Sequence, residues 1–338
     1  MMTTVKENTF LYGWEHPDKM REYRKNNKSM AKKDKRTTLK EAVARGVKEG
    51  DYIVFGGMGS VRNPIAAVHE IIRQKIGNLT IGTKGSQHDW QLLAAAGNVT
   101  KAEVSYGFAD EVRGLSLPAR RVVESGRLKV LSETTNAAFQ WRFTAAAKGL
   151  PFYPTRSSLG TDTLTYSGSK TIIDPFTKEP IELLPACYPD VAIIHVHRAD
   201  KYGNCQIDGN IAEDIEIAHA AKFVIITAEQ IVPDEVIESD PAQTKIPYFT
   251  VDAVVEVPYG SHPNQVPRLY SFDEDHWQEW LDASITEETT EEYLDKYIYS
   301  SNDFYDYLEK IGGVRVLRQL ENIEKKLAPY PTVARRRG

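Results

Sequence analysis

Cysteine is almost missing: the 338-residue chain has two, Cys187 and Cys205. Two thiols build no disulfide framework and fit a reducing compartment. Long apolar runs are also lacking. No stretch has the length needed to span a bilayer, and no apolar signal-like region stands near Met1. These absences lead to the expectation of a cytoplasmic protein. An excess of positive charge is absent too. The 42 Lys and Arg face 47 Asp and Glu, a formal net charge of −5, which argues against generic nucleic-acid binding. Basic residues do gather between Lys19 and Lys40 and at Arg335-Arg336-Arg337, where they read as solvated surface or tail. There are no repeats and no low-complexity segments. A G-x-S-x-G nucleophile elbow, a Walker A loop and a G-x-G-x-x-G dinucleotide fingerprint are likewise missing.

What is present is enough apolar sequence, 41%, for a substantial core, arranged as alternating strand and helix patterns. Strands are expected at 52–56, 79–83, 102–107, 128–132, 191–197, 222–227 and 250–257. Helices are expected near 64–76, 88–97, 118–126, 136–149 and 210–221. Alternation of this kind implies an α/β fold, an open and mostly parallel sheet with helices on both faces. Residues 1–36 form a polar N-terminal extension with an apolar patch at Phe10, Leu11, Tyr12 and Trp14 and a linker-like run from Lys32 to Arg36. The spacing Thr38-Leu39-Lys40-Glu41 suits a capping box, with Gly50 as the expected helix stop. The α/β domain would occupy 37–270. Pro175 and Pro180 within it flank a hairpin-like tip in the connection 151–190. From 271 to 338 the pattern turns helical and aromatic, a C-terminal extension that packs on the domain or on a partner.

One stretch concentrates the signals for chemistry. Tyr52-Ile53-Val54-Phe55 is a short β-prone run, Gly56, Gly57 and Gly59 follow, and Pro64 suits a helix start. Backbone N–H groups in such a turn favour negative charge, so it is a candidate oxyanion or phosphate cradle. An ordinary strand-to-helix turn is the alternative. In open α/β sheets ligands bind beyond the C-terminal strand ends. That places the Gly82–His88 and Gly107–Gly114 loops beside the glycine turn. Arg62 and Arg113 could each clamp a carboxylate there, with an ordinary surface charge as the alternative for either. Glu70, Glu103, Glu111 and Glu124 are the glutamates that could serve as nucleophile or base. His195 and His197 share one strand face and read either as a metal pair or as packed histidines hydrogen-bonded at a sheet end.

The run Gly56-Gly57-Met58-Gly59-Ser60-Val61-Arg62-Asn63-Pro64 resembles the glycine-rich signature of the family I coenzyme A transferases. The chain is similar in particular to the A (α) subunits of glutaconate CoA-transferase and its relatives. Supporting stretches are Ala137–Phe143 leading to Gly149–Phe152, Asp190–His195, Ala199-Asp200 with Gly203-Asn204, Val251–Val255 and Pro258–Pro263. The likeness runs from about residue 38 to about 315. It implies the family fold and a partner B (β) subunit, in a heterotetramer or larger assembly. It also implies coenzyme A as substrate, with no metal and no tightly bound cofactor. In such enzymes the attack on a short-chain or dicarboxylic acyl-CoA comes from a glutamate of the B subunit. A glutamyl-CoA thioester forms and a second acid takes the CoA. The serine-glutamate-asparagine-glycine motif that carries this glutamate is absent from the chain. The resemblance assigns Gly56, Gly57, Met58 and Gly59 to an oxyanion loop. Ser60, Arg62, Ser86, Gln87, His88 and Arg113 are the expected substrate-binding residues. Met58 stands where the family usually has phenylalanine, and Arg62-Asn63 replaces a common glycine-containing pair. Members of the superfamily without the glutamate act as hydrolases, carbon–carbon-cleaving enzymes or decarboxylases on CoA esters. A subunit that only binds CoA esters is the remaining alternative.

Overall fold

The computed structural model describes residues 13–85 and 88–336. In chain order the strands are β1 (Tyr52–Phe55), β2 (Leu79–Lys84), β3 (Val99–Ser105), β4 (Lys129–Glu133), β5 (Phe152–Thr155), β6 (Lys170–Ile173), β7 (Pro180–Pro185), β8 (Val191–Ala199), β9 (Cys205–Gln206), β10 (Phe223–Ile231), β11 (Thr244–Ile246) and β12 (Ala253–Glu256). The main sheet runs β12-β10-β8-β1-β2-β3-β4, all parallel. Parallel neighbours need crossovers, and the helices between them supply these. At its C-terminal end β8 also carries β9 antiparallel, which in turn pairs β11.

Alternation along each strand feeds two cores. Ile53, Phe55, Val191, Ile193, Ile225 and Val255 face one side. Tyr52, Val54, Ala192, Ile194, Val224 and Ile226 face the other. Helices Leu39–Gly46, Ile65–Arg73 and His88–Ala95 cover the first face. Asn136–Ala147 and Asp214–Ala220 cover the second. Each fully buried Leu, Ile, Val or Phe contributes about 1.5–3 kcal/mol, so two filled faces give the central strands their near-continuous apolar character.

The C-terminal helices Glu274–Ala283, Glu287–Leu294, Phe304–Lys310 and Gly313–Glu324 extend the first core. Trp277, Trp280, Tyr293, Tyr297, Phe304 and Tyr307 are buried in the same cluster as Ile53 and Ile65. These aromatics therefore pack on the body of the chain itself, whereas Tyr299, Tyr305 and Tyr330 are exposed.

Several local expectations need adjusting. A helix, Pro17–Asn27, lies in the polar N-terminal stretch where the sequence shows no clear periodicity. Its inward side is small, since only Pro17 and Met20 are buried, so the sequence pattern is faint. The linker-like run ends in paired backbone: Val254 N–H donates to Lys35 O at 3.0 Å and Thr37 N–H to Val254 O at 3.0 Å. That pairing covers the outer edge of β12. The Thr38–Glu41 capping box is present, but its helix ends at Gly46, and Gly50 serves the following turn. There the Asp51 carboxylate accepts the Lys48 N–H at 2.7 Å. The 151–190 connection builds an antiparallel sheet of its own, β5-β7-β6, with the 174–179 turn at its tip. Of the N-terminal apolar patch, Phe10, Leu11 and Tyr12 lie outside the described residues. Trp14 is 41% exposed and donates to Pro151 O at 3.3 Å. Among the described residues no helix is long and apolar enough to cross a membrane.

Candidate active site

The glycine turn leaves the C-terminal end of β1 at the middle of the parallel sheet. Gly57 and Gly59 have φ of 82° and 61°, the left-handed region that glycine enters without steric cost. A side chain at Gly57 would press on the carbonyl oxygens of Val61 and Arg62. Met58 and Val61 close the turn by exchanging N–H···O bonds of 3.2 and 3.1 Å.

The N–H groups of this turn divide into two sets. Gly56 donates to Ile193 O at 2.9 Å and Gly57 to Asp214 Oδ1 at 2.9 Å. Met58 donates within the turn. Ser60 donates to Glu111 Oε1 at 3.2 Å. The Gly59 N–H has no partner among the described residues. The anion-favouring part of the cradle is thus Gly59 and Ser60, and a carboxylate of this same chain already rests there.

Buried polar groups hold the turn from below. Asp214 begins the helix Asp214–Ala220 and is fully buried. It receives Arg62 Nη2 at 2.7 Å and Nη1 at 3.2 Å. Arg62 also donates to His195 O at 3.1 Å and Asn210 O at 2.8 Å. Burial alone would raise the Asp214 pKa, but the Arg62 charge and the N–H bonds from Gly57 and Ala212 hold it below the usual range. From the side, Arg62 N–H donates to Gln265 O at 2.9 Å and Gln265 N–H to Ser60 O at 3.2 Å. Asn63 ties both neighbours, donating to Asp89 Oδ2 at 3.1 Å and accepting from Asn264 at 3.0 Å.

The loop after β3 brings Glu111 to the turn. Its neighbour Arg113 is buried, with Nε at 3.0 Å and Nη2 at 2.6 Å from the Glu274 carboxylate, and its cation lies over Phe272 and Trp277. The C-terminal tail crosses this loop. Arg336 N–H donates to Arg113 O at 3.0 Å and its Nε to Leu115 O at 3.0 Å. Asp110 lies beneath, fully buried, its pKa pushed up to about 7 by that burial while Arg336 and Arg113 pull the other way. Behind the glycine turn, Lys84 at the end of β2 pairs with Glu213, whose pKa burial also raises to about 7.

The coenzyme A transferase family model matches residues 36–257, about two thirds of the chain. The chain belongs to the coenzyme A transferase family. It is 34% identical to the A (α) chain of glutaconate CoA-transferase from Acidaminococcus fermentans, over 83% of this chain and 92% of that one. The crystal structure of that enzyme superposes with a TM-score of 0.81 over 85% of this chain and 95% of that chain. The mostly parallel sheet with helices at the C-terminus is therefore the glutaconate CoA-transferase fold. A hydrolase component is similar as well, the cholesterol ring-cleaving hydrolase IpdA subunit of Rhodococcus jostii, at 29% identity over 82% of this chain and 96% of that one. The structure of the decarboxylase AibA/AibB matches at 28% identity and a TM-score of 0.68, over 78% of this chain and all of that chain.

Within the transferase fold, the expected site residues take different places. Gly56, Gly57, Met58, Gly59 and Ser60 form one turn at the strand ends, with Met58 exposed at 41%. Arg62 is 1% exposed and its guanidinium is already engaged by Asp214. In this structure it supports the turn through the Asp214 carboxylate. His88 is fully buried against Trp277 and Trp280, at ring distances of 4.7 and 5.3 Å. Arg113 is 3% exposed and held by Glu274. The sequence alone places these three side chains in loops open to substrate, and the C-terminal helices cover two of them. Ser86 and Gln87 lie outside the described residues. Among the glutamates, Glu103 is buried in mid-sheet on Tyr52, Ser132 and Arg142. Glu70 pairs with Arg73, and Glu124 with Arg120. Only Glu111, of these four, reaches the glycine turn. His195 bonds Thr227 and Glu229, and His197 bonds Pro267 O and the Asp208 N–H. Both rings are thus engaged by the protein. Asp214 carries no motif of its own, and sequence reasoning missed it.

Proposed function

We propose that the chain is the A (α) component of a heteromeric CoA-transferase, working with a B subunit that carries the nucleophilic glutamate. The observation that carries this reading is the glycine turn, whose Gly59 N–H has no partner among the described residues, at the strand ends of a chain lacking the glutamate motif. Attack of the partner's carboxylate on an acyl-CoA thioester converts a carbonyl oxygen into an oxyanion. Donors already aimed at that position lower the barrier, and one such donor contributes roughly 3 kcal/mol. Gly59 N–H, and Ser60 N–H once Glu111 has moved, are the donors this chain offers. Gly56 and Gly57 support the turn, and the exposed Met58 borders the acyl group. The substrates are a short-chain or dicarboxylic acyl-CoA and a carboxylic acid, with the CoA moiety transferred between them by way of the glutamyl thioester and no tightly held cofactor. Similarity to a glutaconate CoA-transferase chain supports that class.

Co-expression with the chain encoded beside it tests the reading, by screening acyl-CoA donors against carboxylic acids. Transfer, with a hydroxylamine-sensitive glutamyl-CoA thioester on the partner, is the expected result. A pair that hydrolyses, decarboxylates or cleaves its CoA ester without transfer points to the second reading. That reading is supported by the similarity to the hydrolase and decarboxylase chains. A pair that binds a CoA ester and leaves it intact would make this a binding subunit.

A further inference from the structure

The glycine cradle is partly filled by the protein itself. Glu111 Oε1 accepts the Ser60 N–H at 3.2 Å and lies against Gly59, so closely that a methyl group on Gly59 would collide with it. A carboxylate set against successive backbone N–H groups, here bonded by that of Ser60, stands where such a nest would take an outside anion. Glu111 is moreover a non-glycine residue at φ 55°. That conformation costs about 1–2 kcal/mol, and strain of this sort marks places where the surroundings demand one side-chain direction.

The carboxylate is lightly held on its other side. Its nearest cation among the described residues is Arg113 Nη1 at 3.7 Å, and 36% of the side chain is exposed. Arg113 gives its shorter contacts to Glu274. The backbone around Glu111 is fastened much more firmly. Asp110 N–H donates to Gly114 O at 2.6 Å, Arg113 N–H to Asp110 O at 3.0 Å, and the tail's Arg336 N–H to Arg113 O at 3.0 Å. A rigid turn carrying one loosely bonded carboxylate allows the side chain to swing while the loop stays.

We propose that Glu111 gates the cradle: its carboxylate occupies the place of a substrate oxygen in the free protein and withdraws when a carboxylate or thioester oxyanion enters. This rests on the transferase reading for its biological meaning. Acetate binding to the cradle is independent of transfer.

The full chain, labelled with nitrogen-15 at glycine and serine, is titrated with acetate while the Gly59 and Ser60 amide signals are followed. Three proteins are compared: the natural chain, Glu111→Gly and Glu111→Gln. Glycine suits the positive φ, and glutamine keeps the shape without the charge. With a competing charged acceptor gone, acetate moves both amide signals at concentrations about fivefold lower in the two variants. Equal affinities in all three proteins would overturn the gate, as would shifts confined to other residues. If Glu111→Gly does not fold, Glu111→Gln decides alone. A pair that transfers nothing leaves this result standing. A pair that transfers CoA while acetate treats all three proteins alike removes the gate and keeps the transferase.

Discussion

Arg62 and Asp214 form a two-pronged ion pair under the glycine turn, with Nη2–Oδ2 at 2.7 Å and Nη1–Oδ1 at 3.2 Å, and their side chains are 1% and 0% exposed. The same Oδ1 accepts the Gly57 N–H at 2.9 Å. One carboxylate therefore fixes both a cation and the backbone of the turn that carries the Gly59 and Ser60 N–H groups.

Removing half of that pair strands the other half. Asp214→Asn is expected to lower unfolding stability by about 3–5 kcal/mol, because the Arg62 charge stays buried without its counter-charge. Replacing both together, Arg62→Met with Asp214→Leu, should cost less than Asp214→Asn alone. Urea unfolding of the two proteins compares them. A loss below about 1 kcal/mol for Asp214→Asn would mean that water reaches the pair.

The two positive-φ glycines differ in what surrounds them. Alanine at Gly57 meets backbone oxygens that cannot yield, whereas alanine at Gly59 meets the flexible end of Glu111. Gly57→Ala is expected to destabilise by roughly 2–3 kcal/mol or more. Gly59→Ala should cost only about 1–2 kcal/mol from its φ, yet its methyl stands where Glu111 Oε1 lies, the proposed oxyanion position, and by keeping the oxyanion from the N–H donors should reduce transfer by roughly 10²-fold in kcat. Thermal unfolding and steady-state rates of the assembled pair separate the two effects. Equal damage to stability from both variants would contradict the distinction.

Stability should fall as pH rises from about 4 to about 7 on account of Asp110. Its folded pKa of about 7 lies above the unfolded value of roughly 4. In that window the native state holds a proton that the unfolded chain has released, so deprotonation favours unfolding. Glu213 contributes with the same sign. Asp110→Asn, which mimics the neutral acid, should gain roughly 1–3 kcal/mol on the natural chain between pH 5 and pH 8. Denaturant melts at the two pH values give the comparison, and parallel curves would show that the carboxyl titrates normally.

The tail should protect the loop that carries Glu111. Tyr330 OH and Ala334 N–H donate to Glu274 at 2.8 and 3.0 Å, and Arg336 bonds Arg113 O, Leu115 O, Leu281 O and Ser284. Ending the chain after Ala328 removes all of these. Trypsin is then expected to cut at Arg113, which is 3% exposed in the intact protein. A digestion pattern unchanged by the truncation would show that the loop holds itself.

The sequence by itself determined the sheet and the turn. Apolar runs such as Val191–Ile194 stand out without help from the fold, because buried parallel strands need hydrophobic residues on both faces. The glycines of 56–59 are legible for a similarly local reason: φ of 82° and 61° exclude most other residues. Partnership is a long-range matter, and only the tertiary structure decided it. Arg62 reads as a loop arginine open to an acid until Asp214, 152 positions later, is folded beneath it. His88 and Arg113 look like strand-end ligands until Trp277 and Glu274 cover them. Glu111 resembles three other glutamates in sequence, and what distinguishes it is one hydrogen bond to an amide 51 residues away. Local chemistry sets the shape of a backbone segment, whereas a charge takes its role from whatever the rest of the chain places within about 3 Å of it.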